Sequence, residues 1–114
     1  MKANYLEQIR KDIAYIKPYE NDDLEWYNEG MDLLSNDQLE AAELKFKELM
    51  MSQPEHHDGF HGLALVYQKM GRKDEAIFFM QQALNRAKVF VDEGTMDQEG
   101  VDWLEQQLGE IQQM

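Results

Sequence analysis

Apolar residues recur at helical spacing along most of this chain, in blocks separated by proline, glycine or short polar runs. Leu6, Ile9, Ile13 and Ile16 are spaced 3, 4 and 3 apart, which puts them on one helical face and predicts a helix over about 3–17. Pro18 stops it, because the residue before a proline is pushed out of helical geometry. Asn21, Asp22 and Asp23 supply capping oxygens for a second helix over about 24–35. Asn36 and Asp37 form a turn, a third helix covers about 38–52, and Pro54 closes that block. A fourth helix spans about 57–70, with Gly71 as a left-handed stop. The fifth begins near Lys73 and, with no breaker before Gly94, runs to about Asp92. Thr95 and Gln98 fit a capping box for a final helix over about 98–113. On that helix Val101, Leu104, Leu108 and Ile111 share a face, with Trp103 beside them. The expected fold class is all-α.

Two of these blocks repeat one another at a distance of 34 residues. Trp26, Gly30, Leu33, Ala42, Phe46 and Leu49 are answered by Phe60, Ala64, Tyr67, Ala76, Met80 and Ala83, so that, Leu49 and Ala83 apart, large residues fall on large and small on small. That period is the mark of a helix–turn–helix repeat. Over about residues 23–90 the chain resembles the tetratricopeptide repeat family. Trp26, Gly30, Leu33, Ala42, Phe46 and Pro54 stand where the family's W-x-x-L-G-x-x-Y…A-x-x-x-F…P pattern puts them. Glu29 replaces the pattern's leucine, which returns as Leu63 in the second unit. The resemblance implies one α-solenoid domain over 1–114, with repeats at 23–56 and 57–90. Amphipathic helices at 3–17 and 97–113 act as its caps. Repeat arrays need such caps because their end faces are apolar.

The resemblance also implies a division of labour among side chains. Small residues (Gly30, Ala64, Ala42, Ala76) let paired helices approach, and Trp26 or Phe60, Leu33 or Tyr67, and Phe46 or Met80 fill the space between units. In this family the first helix of each unit lines a concave groove. The positions left for that groove are Leu24, Tyr27, Met31 and Leu34 in the first unit, and Asp58, His61, Leu65 and Gln68 in the second. Tyr27, Met31, Leu34, His61, Leu65 and Gln68 are the expected partner contacts. Tyr27, Met31 and Leu34 form an apolar stripe where a solvated face would be polar. It serves either as an anchor for an apolar or amphipathic peptide segment, or as a seat for one of the chain's own terminal helices. The cationic clamp with which some family members hold an acidic C-terminal peptide is missing, since Tyr27, Met31, His61, Gly62 and Leu65 offer no Lys or Arg.

Composition narrows the setting. The chain has 114 residues, no cysteine and a formal charge of −12. Disulfides and zinc–thiolate sites are excluded, and nucleic acid would be repelled. No apolar run approaches the ~20 residues of a membrane span, and the interleaved charges of residues 2–17 do not read as a secretory signal. A cytoplasmic protein is expected. Residues 18–44 hold nine acids and 89–114 hold seven, with no Lys or Arg in either stretch. These runs are either solvated faces or a field that steers a basic partner.

The one cluster with metal-like content is His56-His57-Asp58-Gly59-Phe60-His61. His57 and His61 are four apart, a spacing that grips a divalent ion when a third ligand joins. The Glu of a metalloprotease HExxH motif is missing, so neither a metal nor another cofactor is expected. No phosphate-cradling glycine loop is present either. The expectation is a non-enzymatic binding module or adaptor. Its rivals are a self-assembling scaffold and, at greater distance, a metal-responsive protein using His57 and His61.

Overall fold

The computed structural model of the protein describes residues 23–114, and these form five helices without a strand among them. They are α1 (Asp23–Ser35), α2 (Leu39–Ser52), α3 (Asp58–Lys69), α4 (Lys73–Asp92) and α5 (Gln98–Gln112). The helix expected over 3–17 and its Pro18 stop lie outside the described residues. Each helix packs against the next in chain order, and α1 also touches α3. None is long and apolar enough to cross a membrane.

The 34-residue period reappears in the backbone. α1 ends at a left-handed Asp37 (φ 58°) and α3 at a left-handed Gly71 (φ 76°), and these positions are 34 apart. Around Asp37 the Gln38 amide donates to Leu33 O at 2.9 Å and the Asp37 amide to Leu34 O at 3.1 Å. Around Gly71 the Arg72 amide donates to Tyr67 O at 2.8 Å and the Gly71 amide to Gln68 O at 3.1 Å. This pair of bonds is the Schellman motif, which satisfies carbonyls left over at a helix C-terminus. A third copy ends α4, where Thr95 N reaches Phe90 O (2.9 Å) and Gly94 N reaches Val91 O (3.0 Å). Thr95 therefore belongs to the end of α4, and its hydroxyl also donates to Phe90 O. The expected Thr95–Gln98 capping box does not form: Asp97 is the N-cap of α5, and the Gln98 amide donates to Asp102 instead.

Packing explains why small residues recur. Ala42, Phe46, Leu63, Ala64, Ala76, Met80 and Ala83 are fully buried. The Phe46 ring is pressed between two glycines, and a Cβ added to Gly30 would come within 2.5 Å of it, one on Gly62 within 2.1 Å. At Gly59 the neighbour is backbone, with Met50 N 2.6 Å from where a Cβ would stand. Thus α1, α2 and α3 meet through glycine faces that any side chain would hold apart. α5 adds Val101, Leu104, Leu108 and Ile111 to the same core, each worth about 1.5–3 kcal/mol on burial. One expectation is reversed. Leu34, assigned to the groove, is buried in the core, whereas Leu33 is only partly buried.

Cations laid across rings fasten the outside. Lys45 lies over Trp26 (5.3 Å), Arg72 over Tyr67 (4.7 Å) and Arg86 over Phe60 (3.8 Å). Lys45 also pairs with Glu29 at 3.2 Å, and Arg72 with Glu75. Arg86 Nε donates to Pro54 O at 2.6 Å, tying α4 to the loop between α2 and α3.

Candidate binding face

His61 is the centre of the candidate site, and it is almost completely enclosed at 3% exposure. His61 is therefore not open to solvent but lies under one of the chain's own terminal helices, the alternative that the sequence left for this face. The cover comes from α5, forty-odd residues away in sequence. Trp103 meets the His61 ring edge-on (4.9 Å between centroids, 74°), and His61 Nε2 lies 2.8 Å from Gln107 Oε1. On the other side Tyr27 stacks on His61 (6.2 Å, 18°), with its hydroxyl 3.4 Å from Nδ1. A neutral imidazole satisfies both contacts: Nε2–H donates to the Gln107 carbonyl oxygen, and Nδ1 accepts from the Tyr27 hydroxyl. Burial holds the His61 pKa below its ordinary value. The Gln107 bond opposes that shift, His57 adds to it, and Asp58 opposes it. Burial, with a smaller push from Asp58, raises the Tyr27 hydroxyl.

Tyr27, His61 and Trp103 thus form a row of rings contributed by α1, α3 and α5. The row borders a pocket of about 160 Å³, completed by His57, Asp58, Met96, Gly100 and Leu104. Trp103 is half exposed at its rim. Of the other expected contacts, Met31 and Leu65 are half-buried against the core, as Gln68 is half-buried on α3. Leu34 is lost to the core. The side chain of Leu24 lies outside the described part of the structure. Trp103 and Gln107 were missed as site residues; the only sign in the sequence was an aromatic beside, rather than on, the apolar face of the final helix.

The histidine cluster is arranged differently from the expected i, i+4 pair. His61 spends its nitrogens on Gln107 and Tyr27, while His56, His57 and Asp58 hold ligand atoms within 4.8 Å of one another. His56 Nδ1 lies 3.4 Å and His57 Nε2 3.3 Å from the Asp58 carboxylate. His56 Nδ1 also accepts the Asp58 backbone N–H at 3.2 Å, which uses the lone pair a metal would need. The two rings stack at 4.7 Å, and both pack against Phe90. Burial lowers the His57 pKa first, Asp58 partly restoring it and His56 lowering it again. His57 Nδ1 is buried without a hydrogen-bond partner. Comparison with protein-family models, curated proteins and solved structures finds no match to this chain.

Proposed function

We propose that the chain is a non-enzymatic interaction module of tetratricopeptide type, which holds a segment of a partner protein on the face shared by α1, α3 and α5. The observation that carries this reading is the ring row Tyr27–His61–Trp103. Three helices spend aromatic side chains on one line that ends in a half-exposed tryptophan and an open pocket. Aromatic anchors at a desolvated pocket are the usual source of binding energy in an interface. The recurrence of one helix-ending turn after 34 residues supports the repeat assignment. In that arrangement α5 is the C-terminal cap, packed on α4, and Trp103 reaches His61 from it.

Partner capture by the full chain tests the reading, with variants chosen at exposed or half-buried positions so that folding is kept. Trp103→Glu or Met31→Glu lowers partner affinity by more than about tenfold, equivalent to about 1.4 kcal/mol. Leu44→Glu, on an exposed part of α2, leaves it unchanged. The reverse pattern moves the interface to the α2 side and ends the proposal. Sedimentation of the free protein separates a partner-binding module from a self-assembling one, which sediments as an oligomer through the same face.

A further inference from the structure

We infer that the pocket between Tyr27, Asp58, His61 and Trp103 is a subsite for a cation, built to receive the ammonium end of a lysine side chain on the partner segment. Its size selects a side chain rather than a cofactor: about 160 Å³ falls well short of the ~300–1,000 Å³ that encloses a drug-sized molecule. The rings of Tyr27, His57, His61 and Trp103 share its walls with Met96, Gly100 and Leu104, and they are set at different angles, with His61 nearly parallel to Tyr27 (18°) and steeply inclined to Trp103 (74°). Ring faces carry the negative end of the aromatic quadrupole, and tryptophan attracts a cation best. Among the described residues the molecule uses the same device for its own cations at Trp26, Tyr67 and Phe60, and Trp103 is half exposed.

Charge makes the same selection. Among the described residues, Asp58 is the only acid or base other than histidine and tyrosine lining the pocket, and a carboxylate keeps acceptor sites beyond those turned toward His56 and His57. The two pocket histidines are held toward their neutral forms by burial, so they do not cancel Asp58. α5, which carries Trp103, bears Glu99, Asp102, Glu105 and Glu110 and no Lys or Arg. A basic segment is therefore drawn to this edge, and a neutral or acidic one is not.

The inference rests on the binding-module reading for its natural occupant, but the pocket itself is testable alone. The full chain is titrated with N-acetyl-lysine methylamide, and with N-acetyl-norleucine methylamide, a neutral analogue that lacks the ammonium, while ¹H–¹⁵N spectra are recorded at low salt. The lysine probe shifts the Trp103 indole N–H and the amides of Asp58 and His61, saturating in roughly the millimolar range expected of so small a ligand. The norleucine probe binds about tenfold more weakly or worse, since the ring and carboxylate contacts act only on the charged probe. Asp58→Asn weakens the lysine probe and leaves the norleucine probe unchanged, and Trp103→Leu, at an exposed site, removes the lysine response. Equal binding of the two probes, or lysine shifts that survive Trp103→Leu, overturns the inference. If the lysine probe binds as stated yet Trp103→Glu leaves partner capture intact, the subsite stands and the module reading fails.

Discussion

Gly62→Ala adds a single methyl group, yet the packing makes it one of the most disruptive small changes available. The new Cβ would stand 2.1 Å from Phe46 Cδ1, 2.2 Å from Cε1 and 2.5 Å from Cγ. Real carbon–carbon contacts need about 3.5–4.0 Å, so the ring must move by more than an ångström. It has nowhere to go, because Phe46 is fully buried and Gly30 bounds it on the far side with the same lack of clearance. Overpacking of this kind costs about 1–3 kcal/mol, and a clash with the root of the ring as well as its edge argues for the upper end. Helix propensity works the other way, since alanine is better than glycine in a helix interior by about 1 kcal/mol. The net expectation is a loss of about 2 kcal/mol. Gly109→Ala is the matched control, because it also sits inside a helix and has no neighbour within 4 Å of its would-be Cβ. It gains the propensity term alone, up to about 1 kcal/mol. Urea denaturation of the two variants and the wild type reads the difference directly. With a slope of about 2 kcal/mol/M, the Gly62→Ala midpoint falls by about 1 M and the Gly109→Ala midpoint rises by up to about half that. Shortening Phe46 to leucine in the Gly62→Ala background should recover part of the loss, a coupling expected only of residues in contact. A Gly62→Ala midpoint at or above that of Gly109→Ala would refute the glycine-faced packing of α2 on α3.

Asp37→Gly removes a side chain from the left-handed region (φ 58°) at the cost of an exposed ion pair with Lys69. Such pairs contribute about 0–1 kcal/mol and the left-handed penalty is about 1–2, so a raised melting temperature is expected. Deleting residues 95–114 strips α5 from α4 and removes Val101, Leu104, Leu108 and Ile111 from the core. At about 1.5–3 kcal/mol each the loss rivals a whole domain's stability of about 5–15 kcal/mol, and the truncated chain should show no cooperative unfolding by circular dichroism. Acid should weaken the fold through His61. Its pKa is depressed in the folded state by burial, so the unfolded chain takes up the proton first, at about pH 6.5. The contribution is complete above that pH and is lost as pH falls through the lower folded value. Urea midpoints measured from pH 8 to 5 should fall more steeply for the wild type than for His61→Gln, in which that proton uptake is removed.

The sequence was most informative where physical constraints are local. Helix ends at Ser35, Ser52 and Asp92 follow from Asp37, Pro54 and Gly94 close behind them, and the 34-residue pattern anticipated the buried Ala42, Phe46, Ala76 and Met80. It was ambiguous where two neighbours are both apolar. Leu33 and Leu34 lie about 100° apart on the helix, and only the tilt of α1 against α2 decides which of them is buried. Gly62 looked incidental because a glycine reports nothing about the ring pressed upon it from another helix. His61 was misplaced for a related reason. A histidine on an otherwise apolar helix reads as a surface contact until α5 is known to bring Trp103 and Gln107 over it, and no periodicity within residues 57–70 encodes that visit. Thr95 has the chemistry of an N-cap, but the turn at Gly94 uses it first.

The central claim is that partners bind along the line of rings joining α1, α3 and α5. Its most direct test is site-specific photocrosslinking, with a photoreactive residue placed at Met31 or Trp103 and, for comparison, at the exposed Leu44 of α2 and Val89 of α4. In extract of the cells that make the protein, the account predicts one shared partner crosslinked from 31 and 103, competed away by excess unlabelled wild type and not by Trp103→Glu. A partner crosslinked from 44 or 89 and not from 31 or 103 would contradict it.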